Sequence, residues 1–90
     1  MGNLKPFQEQ VLIAALHANN FSRNAHNSRE TIAKYLPEQI KKNGRRMRKF
    51  RKELKRLVAK GYLRIKPTAG DTTYSLTDLA LEYANNIGLL

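Results

Sequence analysis

The sequence predicts a small α+β domain that is mainly helical. Two observations support this prediction. Apolar residues recur at the three- and four-residue spacings of amphipathic helices in four segments, and two short alternating segments flank a turn-rich stretch at residues 67–71. The 90-residue chain is 41% hydrophobic, which suffices for one core, and no stretch rich in Gly or Ser divides it. We therefore expect residues 1–90 to form a single domain.

The first half of the chain predicts two helices. Pro6 suits the first turn of a helix, and apolar residues at helical spacing continue to Asn19, so helix one is expected there and in the centre of the core. A polar loop follows. Asn27 can form a capping box with Glu30, which predicts helix two over Ser28–Leu36. Residues 37–43 are expected to be a connector with one helical turn at most, since Pro37 disfavours continuation of the helix.

Helix three is predicted over about residues 45–60. Its apolar stripe consists of Met47, Phe50, Leu54, Leu57 and Val58, and we expect this stripe to face the core. The opposite face is cationic. Lys60 and Gly61 are typical of a helix end, because a cation suits the last turn and glycine suits the left-handed cap.

The last third of the chain predicts a β-hairpin and a fourth helix. Residues 62–66 and 72–76 alternate as strands do, and residues 67–71 have turn chemistry. Thr77 or Asp78 can cap the final helix, which is expected to end at Asn86.

This order of elements resembles the winged helix-turn-helix family of DNA-binding domains. Residues 50–64 look like the family's recognition helix and the entry into its wing, and residues 74–78 look like the strand that leaves the wing and caps the last helix. The resemblance spans nearly the whole chain. It implies a three-helix core, a two-stranded β wing and a C-terminal helix, in a small transcription regulator.

Charge indicates a polyanionic partner independently of the resemblance. The formal net charge is +10, yet residues 41–66 hold thirteen basic side chains and one acidic one, a net of +12, so the rest of the chain sums to −2. Charge clustered in this way makes a local field that phosphates experience. Double-stranded DNA is the expected partner, with no membrane involved.

A helix fits the major groove, which predicts helix three as the reader of base edges and the hairpin at 62–76 as a neighbour of the backbone. The candidates for base contacts are Arg45, Arg48, Lys49 and Lys52. The candidates for phosphate contacts are Ser28, Arg29, Lys41, Lys42, Arg46, Lys55, Arg56, Arg64 and Lys66. A homodimer through the C-terminal helix would span two half-sites; the alternative is that its apolar end packs onto helix one.

Three other interpretations remain open. A winged-helix domain can also bind RNA or DNA by shape and charge, as an architectural or ribosome-associated protein. A basic amphipathic helix also suits an anionic membrane or an acidic protein, and a charge run can be only a solvated face.

No recognised catalytic motif, phosphate loop or metal-ligand spacing is present, so we expect no enzyme, cofactor or metal. A cytoplasmic protein is the expectation, because no secretion signal is apparent, and it would be nucleoid-associated when bound to DNA.

Overall fold

A computed structural model describes residues 4–90. In this part of the chain five helices and three strands form an α+β fold. The helices are α1 (Pro6–Ala18), α2 (Arg29–Ala33), α3 (Glu38–Lys41), α4 (Gly44–Ala59) and α5 (Asp78–Asn86). The strands are β1 (His26–Ser28), β2 (Leu63–Thr68) and β3 (Asp71–Leu76). They form one antiparallel sheet in the order β1-β3-β2.

Helix α1 is the centre of the core, as its nearly continuous apolar surface predicts. Val11, Leu12, Ala15 and Leu16 are completely buried, and the helix contacts α2, α4, α5 and β3. One core cluster includes side chains from all five helices and from β2 and β3. The prediction of a central first helix is therefore confirmed.

The apolar stripe of α4 also packs as predicted. Phe50, Leu54 and Leu57 are buried, and Met47 and Val58 pack against the same cluster from its margin. Gly61 follows the helix with a φ of +87°, the left-handed conformation that favours glycine. The chain then turns directly into β2, so α4 and the hairpin are held next to each other.

Strand β1 was not predicted, and it changes the expected two-stranded wing into a three-stranded sheet. His26 pairs with Ser75 and Ser28 with Thr73, so the segment before α2 is joined to the hairpin. The His26 ring nitrogen Nδ1 lies 2.9 Å from the Thr73 hydroxyl. That hydroxyl in turn donates to the carbonyl of Lys66, which links all three strands.

The prediction that Asn27 caps helix two is wrong. The Ser28 hydroxyl oxygen accepts the hydrogen bond from the Thr31 N–H, so the cap lies one residue later. Asn27 instead donates from its side-chain amide to the Ala18 carbonyl and to Asn19 Oδ1, both at 2.9 Å. Its role is to fasten the loop to the end of α1.

Helix two is also shorter than predicted. Helix α2 ends at Ala33, after which residues 34–36 form a turn, and the expected single helical turn near Ile40 is present as α3. Leu36 and Ile40 are both buried, so this irregular stretch is still attached to the core. Pro37 is the N-cap residue of α3, so the helical part of the connector begins there.

Helix α5 packs against α1, and a partly buried polar contact joins the two helices. The Tyr83 hydroxyl donates to Glu9 Oε2, and the Tyr83 ring meets the Tyr62 ring edge-on at 5.7 Å between centroids. Beyond α5, Ile87, Leu89 and Leu90 remain 40%, 37% and 59% exposed. These three side chains are thus only partly covered by the rest of the domain.

Truncation of Leu54 tests whether the α4 stripe holds the domain together. Leu54→Ala should lower the free energy of unfolding by about 2–5 kcal/mol, because this fully buried side chain leaves a cavity. Lys52→Ala, on the exposed face of the same helix, should change it by no more than about 0.5 kcal/mol. Urea unfolding followed by circular dichroism measures both. Equal effects of the two substitutions would contradict the packing described.

The Tyr83 contact predicts a loss of stability at alkaline pH. Burial, followed by the hydrogen bond to the Glu9 carboxylate, raises the pKa of Tyr83 from 10.0 to about 12. The neutral phenol is therefore favoured in the folded state, so its stabilisation is complete below pH 10 and disappears as the pH rises towards 12. Tyr83→Phe should lack this component. Urea unfolding of both proteins across that range should show their stabilities converging, and parallel curves would contradict the assignment.

Candidate nucleic-acid interface

The first turn of α4 is fixed by Asn43. The Asn43 side-chain oxygen accepts hydrogen bonds from the backbone N–H groups of Arg45 and Arg46, at 3.1 and 3.2 Å. This is the N-cap arrangement that asparagine favours, because it satisfies donors that have no partner within the helix. The cap therefore fixes the start of α4 at Gly44, with two residues between this helix and α3.

The outward surface of α4 is strongly cationic. The helix contains eight basic residues and one acidic residue, and every one of the eight is exposed. Because the apolar stripe is buried against α1, the basic side chains on the other faces of α4 point to solvent. At about 100° per residue they cover the outward face and both flanks.

A groove runs along one flank of α4, between it and the beginning of α1. We call it the α1 groove; its volume is about 590 Å³. Lys5 and Phe7 form its α1 wall. Its α4 wall consists of Arg45, Arg46, Lys49, Lys52, Glu53 and Arg56. The groove spans three turns of α4, or roughly 16 Å, which suits an extended anionic chain more than a compact ligand.

Two adjoining depressions of about 300 and 350 Å³ follow the other flank of α4, and we call them together the α2 groove. Both include Arg29 and Glu30 of α2 and Arg51 of α4. One extends past Arg48, and the other extends past Lys55 to the hairpin residues Ile65, Asp71, Thr72 and Tyr74. Helix α4 is therefore a ridge with a basic groove on each side.

The four predicted base-reading residues are divided between these grooves. Arg45, Lys49 and Lys52 line the α1 groove, whereas Arg48 lines the α2 groove. Within the described residues none of the four side chains makes a hydrogen bond or an ion pair, so each is free to meet a ligand. The side chains of Lys42 and Lys55 likewise make no hydrogen bond or ion pair in the part of the chain that the structure describes.

Several predicted phosphate contacts are already committed to local partners. The Ser28 hydroxyl caps α2, and Arg29 lies 3.5 Å from Glu30. Lys41 Nζ contacts Glu38 Oε1 and the Lys34 carbonyl, both at 3.1 Å. Arg56 is paired with Glu53, and the Arg46 guanidinium stacks over the Phe7 ring at 5.5 Å. These five residues would bind a phosphate only in competition with, or in addition to, those contacts.

The structure does not bring the hairpin cations Arg64 and Lys66 together with α4. Alternate residues of β2 point to opposite sides of the sheet, and Ile65 is the one that faces the α2 groove. Arg64 lines a separate depression beside Asp78, which is itself paired with Arg23 at 2.7 Å. The outer surface of the hairpin is thus a second basic area, apart from the ridge.

Sequence reasoning missed the participation of α1 in this surface. Lys5 and Phe7 lie 39 and 37 residues before the start of α4, and only the packing of α1 on α4 makes them the wall of a groove. It also treated Glu53 as one acid among cations, whereas the structure buries this carboxylate. The first fact has no local signal in the sequence, whereas helical spacing, three residues after Phe50 and four before Leu57, already places Glu53 at the edge of the apolar stripe.

No group of three or more His, Asp or Glu side chains in residues 4–90 could hold a metal ion. None of the helices described is both long enough and apolar enough to cross a membrane.

Comparisons of the chain with protein-family models, with curated proteins and with solved structures found no match.

Proposed function

We propose that the protein binds double-stranded DNA in a sequence-specific manner, as a small transcription regulator, with α4 in the major groove. The observation that supports this most is the cationic ridge: a helix whose apolar stripe is committed to the core and whose free Arg and Lys side chains face outward. A helix of this diameter fits the major groove, where base edges carry a distinct pattern of donors and acceptors.

The two grooves support this orientation. A helix in the major groove has a phosphate backbone on each side, so a matching protein surface needs cations on both flanks. The α1 groove supplies Lys5 and Arg46 on one side, and the α2 groove supplies Arg29, Arg51 and Lys55 on the other. A cationic face that is only solvated does not require a basic groove on each side.

The winged-helix architecture is part of the same proposal. The order α1, α2, α4, hairpin, α5 is the one that the resemblance implies, with α4 as the recognition helix and β2–β3 as the wing. Two features differ from the simplest version of it: the additional α3 before α4, and β1, which extends the sheet. In this proposal the outer face of the wing, with Arg64 and Lys66, contacts backbone outside the major groove.

Recognition of nucleic acid by shape and charge alone is the second candidate. The favouring observation is that half of the α4 cations that make no ion pair or ring contact within residues 4–90 are lysines, namely Lys49, Lys52 and Lys55, and a lysine meets phosphate as a point charge. Such a protein would bind random DNA and structured RNA about equally.

Selection of bound sequences from a random duplex pool, followed by competition binding, separates the two candidates. We expect a site that is preferred over random duplex by about 10³-fold or more at physiological salt. Near-equal affinity for the selected site, random duplex and structured RNA would contradict sequence-specific binding and favour the second candidate.

A matched pair of variants locates the interface in the same assay. Lys55→Gln removes a cation of the α2 groove and should reduce the slope of log affinity against log salt by about one unit. Lys34→Gln removes the same charge from a residue that lines neither groove, and should leave the slope unchanged. Equal slopes for the two variants would place the interface elsewhere.

The exposed end of the chain supports a homodimer in this proposal. Ile87, Leu89 and Leu90 are exposed beyond α5, and two copies joined there could occupy two half-sites about one helical turn apart. Light scattering at tens of micromolar should therefore give about twice the chain mass of 10.3 kDa. Leu90→Asp should return it to one chain mass, and a wild-type monomer would remove the dimer from the proposal.

A further inference from the structure

Glu53 is the one acidic residue of α4, and its environment differs from that of every basic residue around it. Its side chain is only 8% exposed, in a helix whose eight basic residues are all exposed. Glu53 Oε2 accepts a hydrogen bond from Arg56 Nη1 at 3.0 Å, while the Arg56 side chain remains 49% exposed. The pair therefore joins a buried carboxylate to an accessible guanidinium.

A buried carboxylate does not help a surface that attracts polyanions by charge alone. Removing the carboxylate from water costs free energy, and its charge opposes the approach of phosphate. A neutral side chain at residue 53 would avoid both costs. The carboxylate must then contribute something other than net charge to the α1 groove, and the contact with Arg56 is the contribution that the structure contains.

The carboxylate serves Arg56 and no other side chain among the described residues. Glu53 Oε1 is buried and has no hydrogen-bond partner within residues 4–90. The neighbouring cations of the groove, Lys49 and Lys52, make no hydrogen bond or ion pair with it. Glu53 is thus not the centre of a charge network, and its position constrains one guanidinium.

Holding a guanidinium in one orientation matters most when that orientation determines which base it can recognise. A free Arg side chain loses considerable rotational entropy when it binds, and a held one has already lost part of it. Arg56 uses one side of its planar fork on Glu53, and its other N–H groups remain available. Guanine is recognised by two parallel N–H bonds to O6 and N7, a geometry that needs a correctly oriented fork.

Arg56 also lies in line with three predicted base-reading residues. Arg45, Lys49, Lys52 and Arg56 are separated by four, three and four residues, so they form one row along the α1 groove. We propose that Glu53 is a positioning residue that holds Arg56 for recognition of a guanine, which makes Arg56 a specificity-determining residue instead of a phosphate contact. This inference rests on the proposed function.

Glu53→Gln tests the role of the carboxylate, with Glu82→Gln as its control. Both substitutions raise the net charge by one, but Glu82 is exposed on α5 and lines neither groove. Both should bind random duplex at least as tightly as wild type. Glu53→Gln alone should lose preference for the selected site, by about tenfold, whereas Glu82→Gln should keep it.

Arg56→Lys tests the same contact from the other side and does not disturb a buried residue. It keeps the charge but lacks the planar fork, so its preference for the selected site should fall by a similar factor. The double variant should lose no more than either single variant, because the two side chains act as one unit. Nuclear magnetic resonance of the Arg56 Nε–H group should show restricted motion in the free wild-type protein and greater motion in Glu53→Gln.

The outcomes distinguish this inference from the proposed function. A wild-type preference that survives in both Glu53→Gln and Arg56→Lys overturns the inference and leaves the proposed function standing. A wild-type protein without any site preference overturns the proposed function and the specificity role together. An Arg56 Nε–H group as mobile in wild type as in Glu53→Gln overturns the positioning itself, whatever the DNA measurements give.

Discussion

The packing of the α4 stripe against α1 is the contact on which the rest of this structure depends. Phe50, Leu54 and Leu57 are buried in the same cluster as the apolar residues of α1. Because a helix cannot turn one face inward without turning the opposite face outward, this contact fixes the direction of every basic side chain of α4. It also brings Lys5 and Phe7 beside them, and the turn at Gly61 places the hairpin on the other flank.

The electrostatic cost of this arrangement supports the proposal of a polyanionic partner. Eight cations on one short helix repel one another, and only the buried Glu53 offsets them from within α4. The core must supply the free energy that holds them together in the free protein. Phosphates would relieve the same repulsion and release their counterions on binding, so a polyanion is the natural complement of the ridge.

Local patterns predict the local structure of this chain well and its long-range contacts poorly. Helix α5 begins and ends at Asp78 and Asn86 as its cap and apolar spacing predict, and the α4 stripe is buried as predicted. Strand β1 has three polar residues without alternation, and it exists because His26–Ser28 pair with β3, forty-five residues or more away. The division of the candidate site into two grooves arises in the same way, from packing between distant segments.

The location of the interface is the central claim, and amide chemical-shift mapping with a DNA duplex tests it most directly. The claim predicts that titration of a duplex into isotope-labelled protein shifts the amides of α4 and of both groove walls, at Phe7 and Arg29 among others. The amide shifts of the exposed apolar end, Ile87–Leu90, should change little as long as the oligomeric state stays the same during the titration. Shifts concentrated on α5 or on the outer face of the hairpin, with α4 unaffected, would contradict the claim.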